Sequence, residues 1–230
     1  MDARDRLIVA LDVSRLSPAL ELTRSLGADV RWVKVGLELF TAAGPDALQA
    51  LKLLGKRVFL DLKLHDIPHT VAGAVRAAAH HGVDLLTLHA SGGPAMLEAA
   101  ASARDEMRSP LRLLGVTVLT SLDGTEFPEV YRSPDVAERV QRFADAAVAA
   151  KLDGIVCSAR DLDRLRGLPE GFLRVTPGIR PAGGAAGDQA RVATPVEALA
   201  RGATHLVVGR PITGAEDPAA AARAVLDDMS

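Results

Sequence analysis

The chain has 230 residues, of which 48% are hydrophobic and 24% charged, and its formal net charge is −2. Such composition excludes a disordered chain and is ample for one large core, and no apolar run reaches the roughly 18 residues of a membrane-spanning helix. With aromatics at 3% and no basic stripe, a nucleic-acid-binding surface has no support.

The N-terminal Met1–Asp5 leads straight into a strand-like run and lacks the apolar stretch of a signal peptide. A cytoplasmic protein is therefore expected. From there, short aliphatic runs alternate with Ala-, Leu- and Arg-rich stretches of helical spacing. The first strand is expected over Leu7–Asp12, followed by a helix over Pro18–Leu26. Trp32–Gly36 and Pro45–Leu54 form the next unit, then Val58–Lys63 and Pro68–His81, Leu85–His89 and Pro94–Met107. The second half reads Leu113–Leu119 and Pro134–Lys151, then Gly154–Ser158 with a short helix over Ala159–Arg166. Leu173–Gly178 and Pro195–Arg201 follow, and His205–Gly209 with Pro218–Met229 completes the series. Seven of these helices open on proline, which suits a first turn whose N–H has no helical partner. Cys157, the only cysteine, excludes an internal disulfide and a cysteine-based zinc site, and its apolar setting suits a buried small side chain.

Eight strands alternating with helices predict a parallel sheet buried on both faces. The count of eight favours a single-domain (β/α)8 TIM barrel over residues 1–230, with a doubly wound open sheet as the alternative. Two connections are longer than the fold requires, Thr120–Ser133 and Ile179–Thr194, and long loops on such a scaffold commonly bind ligands.

In this fold chemistry sits where strands end, so the polar residues closing apolar strands are the informative ones. They are Asp12, Lys34, Asp61 with Lys63, Arg180, and Gly209-Arg210. A strand period of two puts Asp61 and Lys63 on one face, where Asp12 and Lys34 from neighbouring strands can join them. The chain has only five lysines against 22 arginines, so two lysines within strands are not surface filler. The structural alternative is a buried ion-pair network that fixes register. Arg180 and Gly209-Arg210 close the seventh and eighth strands, the usual phosphate corner of such barrels, and Gln189 in the long loop adds a neutral donor. His65 and His69 flank Asp66 and superficially suggest a metal site, but Pro68 disfavours helix at Ile67 and the spacing then loses its meaning. The remaining histidines, His80, His81, His89 and His205, read as structural or surface residues.

Several blocks together resemble the orotidine 5′-phosphate decarboxylase family over essentially the whole chain. They are Leu11-Asp12, Lys34-Val35-Gly36, Asp61-Leu62-Lys63-Leu64-His65-Asp66-Ile67-Pro68-His69-Thr70, Val118-Leu119-Thr120-Ser121, Thr176-Pro177-Gly178-Ile179-Arg180, Gly187-Asp188-Gln189-Ala190-Arg191 and Val208-Gly209-Arg210. The Asp-x-Lys-x-x-Asp pattern is shared with related phosphosugar barrels; the strand-seven block and Gly-Asp-Gln discriminate more. The resemblance implies decarboxylation of orotidine 5′-monophosphate to UMP without cofactor or metal, in a homodimer with shared sites. It implies Lys63 as proton donor acting with Asp61, Lys34 and the partner's Asp66. It assigns Asp12, Lys34 and the partner's Thr70 to the ribose, Thr120 and Ser121 to the pyrimidine, and Arg180, Gln189, Gly209 and Arg210 to the phosphate. His69 departs from the Asn found in many members. The rival reading is a magnesium-dependent phosphosugar decarboxylase or synthase, with Glu38 as a possible metal ligand. A non-catalytic sensor of phosphoribosyl ligands is the reading outside enzymes.

Overall fold

Strands that are apolar on both faces must be covered on both faces, and the computed structural model, which describes residues 2–122, 136–165, 167–181 and 192–230, meets that demand by closing the sheet. The strands are β1 (Leu7–Ala10), β2 (Trp32–Gly36), β3 (Arg57–Leu64), β4 (Leu85–His89), β5 (Arg112–Val116), β6 (Gly154–Val156), β7 (Leu173–Thr176) and β8 (His205–Val208). Every neighbour pair is parallel, and β8 returns to β1, so the barrel has no free edge. The open-sheet alternative is thereby excluded.

Among the described residues the helices are α1 (Leu16–Ser25), α2 (Leu37–Ala43), α3 (Pro45–Leu53), α4 (Pro68–His80), α5 (Pro94–Glu106), α6 (Val136–Ala149), α7 (Ala159–Leu162), α8 (Pro195–Ala200), α9 (Arg210–Thr213) and α10 (Pro218–Asp228). Pro45, Pro68, Pro94, Pro195 and Pro218 each take the first position. Pro18 does not: α1 begins at Leu16, and the ring occupies its third residue, where the N–H is still outside the helical ladder. Pro134 lies outside the described residues. Two helices, α2 and α9, carry no side-chain cap and were not expected from the pattern. Strands β1, β5, β6, β7 and β8 also end earlier than their apolar runs. Asp12, Leu119, Ser158, Gly178 and Gly209 fall beyond the ladders, where the backbone already turns into the loops of the C-terminal mouth.

Alternation divides the core in two. Ile8, Ala10, Trp32, Phe59, Leu85, Leu114, Leu173, Val175 and Val207 pack inside the barrel. Leu7, Val9, Val33, Val58, Leu60, Leu86, Ile155 and Val208 point outward and meet the buried faces of the helices, with Val75, Leu97 and Val225 among the partners. Cys157 is fully buried in this outer layer. Gly154 owes its identity to packing: a Cβ there would lie 2.5 Å from both Leu173 Cβ and Leu173 O.

One strand breaks the regular pairing. Leu60 pairs with Leu86 and Leu64 with Leu88, so Asp61, Leu62 and Lys63 stand opposite Thr87 alone. The excess residues are absorbed as a bulge, and Lys63 takes a left-handed backbone with φ of 50°. Bulges commonly re-aim side chains beside active sites.

Candidate active site

The polar residues of the C-terminal mouth line a cavity of about 310 Å3. Asp12, Lys34, Asp61, Lys63, Thr120, Ser121, Arg180, Gly209 and Arg210 all contribute to its wall, over an apolar floor that includes Ala10, Phe59, Val156 and Val207. Nine of the expected site residues thus converge from six strands and the loops that follow them.

The charges alternate. Lys34 Nζ donates to Asp12 Oδ1 at 2.9 Å and lies 3.7 Å from Asp61 Oδ2. Lys63 Nζ is 2.9 Å from both Asp61 oxygens. The side chains of Lys34 and Asp61 are only 10% and 13% exposed, so these interactions are poorly screened. Burial pulls the Asp61 carboxyl up, but Lys34 and Lys63, with hydrogen bonds from Lys63 and Thr87, outweigh it and hold the group below the usual carboxylate range. Asp61 is therefore an anion at neutral pH, clamped between two ammoniums. Gly36 makes the array possible, since a Cβ there would stand 2.9 Å from Lys34 Nζ and 3.1 Å from Asp12 Oδ1.

Asp61 and Lys63 do meet, but through a bulge rather than the regular alternation that the period of two assumed. The left-handed turn at Lys63 brings its side chain back onto Asp61, and Thr87 holds the bulge in place. The Thr87 hydroxyl, fully buried, donates to Asp61 Oδ1 at 2.9 Å and accepts from Lys63 N at 2.9 Å. Sequence reasoning missed Thr87 because a β-branched residue in Leu85–His89 reads as ordinary strand filler; an isolated hydroxyl at an inward position of an apolar strand is the signal that could have found it. His89, at the end of the same strand, was also passed over. Its pKa is lowered by burial first, then by His65 and Lys63, with Asp61 opposing, so it stands neutral beside the network. The rings of His65 and His89 are 5.4 Å apart.

The phosphate corner is built on the loop after β7. An isolated bridge pairs Ile179 with Ala193, and Arg180 N donates to Ala193 O at 2.9 Å, so both ends of the loop are tied at its base. Arg180 Nη1 donates to Ile179 O at 2.8 Å. The Arg180 pKa is lowered by burial and then by the charge of Arg210, which places two guanidiniums near one another. The two acids and two lysines alternate in sign, and Arg180 and Arg210 add two guanidiniums to the same wall. Gln189 lies outside the described residues.

Asp66 and Thr70 stand apart from this cavity. Both are exposed, on the loop after β3 and the first turn of α4. Asp66 Oδ1 accepts from Ile67 N, and Ile67 beside it is 65% exposed. Glu38, the candidate magnesium ligand of the rival reading, is exposed on α2 and does not line the cavity.

Comparison with known proteins agrees with this geometry. The model of the orotidine 5′-phosphate decarboxylase / HUMPS family matches residues 5–225. The chain is 52% identical over 237 residues to orotidine 5′-phosphate decarboxylase of Moorella thermoacetica, covering 100% of this chain and 94% of that protein. It is 50% identical over 226 residues to the enzyme of the same name from Halorhodospira halophila, covering 98% and 96%. Among solved structures, orotidine 5′-phosphate decarboxylase from Lactobacillus acidophilus superposes with a TM-score of 0.84 at 38% identity, over 98% of this chain and 99% of that one. A closed eight-stranded barrel, an alternating acid–lysine array and a full-length match to that family model together show that the chain belongs to the orotidine 5′-phosphate decarboxylase / HUMPS family.

Proposed function

We propose that the C-terminal mouth removes CO2 from orotidine 5′-monophosphate to give UMP, the last step of pyrimidine nucleotide synthesis, as a cofactor-independent carboxy-lyase. The observation that carries this reading is the continuous array Asp12–Lys34–Asp61–Lys63 ending near two arginines. The relatives at about half identity bear the name of this activity, whereas the magnesium-dependent rival lacks its carboxylate at the cavity.

Loss of CO2 leaves an electron pair on a ring carbon with no adjacent carbonyl or imine to receive it. The Lys63 ammonium stabilises that charge as it develops and then delivers its proton to the carbon, forming C–H as C–CO2 breaks. The neutral amine regains a proton from solvent. Asp61 positions the Lys63 ammonium, and its own negative charge faces the carboxylate that departs. Two unit charges about 4 Å apart interact by roughly 4 kcal/mol at an effective dielectric of 20. The largest enzymatic accelerations correspond to roughly 23 kcal/mol. Repulsion of the departing group is therefore a minor contribution, and stabilisation of the carbanion-like transition state must supply most of the effect.

Asp12 and Lys34 hold the ribose hydroxyls, Thr120 and Ser121 face the pyrimidine, and Arg180, Gln189, Gly209 and Arg210 hold the phosphate. The loop expected to close over that remote group, 181–190, lies outside the described residues from 182 onward. Asp66 and Thr70 act in the neighbouring barrel of a homodimer. Support for this comes from their exposure beside Ile67 and from their not lining the cavity of their own chain. The test is turnover of orotidine 5′-monophosphate in excess EDTA, followed by absorbance loss, with Lys63→Ala alongside. Turnover should survive the chelator and vanish in the variant, which should still bind UMP. Near-normal turnover in Lys63→Ala would sink the catalytic assignment, and loss of turnover in EDTA would favour the metal-dependent rival.

A further inference from the structure

At the opposite, N-terminal mouth of the barrel lies a larger cavity of about 710 Å3, with Arg31, Trp32, Arg57, Arg112 and His205 in its wall beside Asp5 and Asp84. Strand alternation explains how arginines come to be there. Phe59 and Leu114 pack inside the barrel, so Arg57 and Arg112, two residues earlier on β3 and β5, enter the same interior from its lower end.

The charges at this mouth are unevenly matched. Arg31 is paired with Asp2 and Asp5. Asp84 is held by Lys52 at 3.0 Å and by Val58 N at 2.8 Å. Asp153 is held by Arg104 and by Leu113 N. Each acid thus has its own donors, although Arg112 still feels Asp84 and Asp153. Among the described residues, neither Arg57 nor Arg112 forms an ion pair. Arg57 lies over the Trp32 ring, 4.9 Å from its centroid. Trp32 is fully buried, and its indole N–H has no acceptor among the described residues. His205 is 3% exposed, with Nδ1 3.0 Å from Thr204 Oγ1. Burial, and then the charges of Arg112, Arg6 and Arg57, hold its pKa down to about 4 against the opposing pull of Asp5. Burial also lowers the Arg112 pKa, with Arg57 acting in the same direction.

A plug serving only to close the barrel would be apolar or internally paired, because unpaired charge is costly to bury. Two guanidiniums outside any ion pair and a neutral imidazole, with Asp5 and Asp84 already engaged by other donors, instead match an oxyanion. We propose that the N-terminal cavity binds a phosphate-type oxyanion between Arg57 and Arg112, beside His205 and Trp32, as a second site at the opposite end of the barrel from the reaction centre. Burial does most to keep His205 neutral, and an anion there offsets the cations that add to it, so binding and protonation of His205 favour each other.

The test titrates inorganic phosphate and ribose 5-phosphate into the full chain saturated with UMP. It follows the His205 imidazole resonance by NMR, assigned with His205→Gln, together with the thermal midpoint. Reading His205 separates this site from phosphate bound near Arg180 and Arg210 across the barrel. Saturable movement of the resonance, a raised His205 pKa and a higher midpoint are expected. In Arg57→Gln/Arg112→Gln the affinity should fall by about tenfold or more, as removal of two charge-assisted donors requires. If that pair fails to fold, Arg112→Lys, which keeps the charge and loses the planar fork, should weaken binding measurably. Tighter binding of the ester identifies a phosphorylated metabolite as occupant, and tighter binding of the free ion identifies inorganic phosphate. No saturable change at His205 with millimolar ligand, or equal affinity in wild type and the arginine variants, overturns the proposal.

Discussion

Replacing Thr87 by valine tests how the reacting lysine is held. Valine nearly matches threonine in shape but removes one donor and one acceptor at once. The lost donor served the Asp61 carboxylate at 2.9 Å, and the lost acceptor served the Lys63 N–H at 2.9 Å. A hydrogen bond to a charged group contributes about 1.5–3 kcal/mol, and a buried donor left without a partner costs about 1–3 kcal/mol. If the Asp61 bond is fully expressed in the transition state, kcat falls by about 10–100-fold, at roughly 1.4 kcal/mol per factor of ten. KM should change far less, because the residues proposed to hold the ribose and phosphate are others. Steady-state turnover measured by absorbance gives both parameters, and a thermal melt separates misfolding from mispositioning. Thr87→Ser keeps the hydroxyl and should recover most of kcat. Wild-type kcat in Thr87→Val, or a serine variant as impaired as the valine one, would refute the claim that this hydroxyl positions the pair.

Three further outcomes follow from the same structure. Gly36→Ala places a methyl 2.9 Å from Lys34 Nζ, so Lys34 must swing away from Asp12, and KM should rise by about tenfold, or about 1.4 kcal/mol; an unchanged KM argues against a ribose role for that pair. His205 has a folded pKa of about 4 against 6.5 when free, so the unfolded chain binds its proton first as pH falls. The contribution is fully present above pH 6.5 and is lost as pH falls toward 4, by about 3 kcal/mol in all; denaturant melts in phosphate-free buffer should show this acid limb, and His205→Gln should flatten it. Mixing inactive Asp66→Ala and Lys63→Ala chains should restore turnover if sites are shared between subunits, whereas a protein that remains monomeric at assay concentration contradicts the shared site.

The barrel was legible because its strands are apolar almost throughout and its helices announce themselves with proline. What escaped was short or irregular. Helices α2 and α9 follow directly on strand ends and have no capping side chain to mark them. The charged array could be read from residue types at strand ends, since charge inside an apolar run demands an explanation. Its geometry could not, because a bulge erases the period of two on which the reading relied, and nothing in Asp61–Lys63 reports that Thr87 lies opposite. Asp66 carries the right chemistry at the right spacing, yet its exposure outside the cavity of its own chain is visible only in three dimensions. The lower mouth was missed for another reason: Arg57 and Arg112 begin their strands, where a basic residue looks like ordinary solvent-facing trim.

The left-handed backbone at Lys63 sets two demands against each other at one position. A non-glycine residue there carries roughly 1–2 kcal/mol of conformational strain that glycine would not feel. Glycine would relieve that strain, but it would also take from the nearly buried Asp61 carboxylate the ammonium 2.9 Å away, so backbone and carboxylate make opposite demands on residue 63. A screen for thermal stability that ignores turnover would therefore have to change Asp61 together with Lys63 to gain a firmer barrel, and would lose both halves of the proposed catalytic pair.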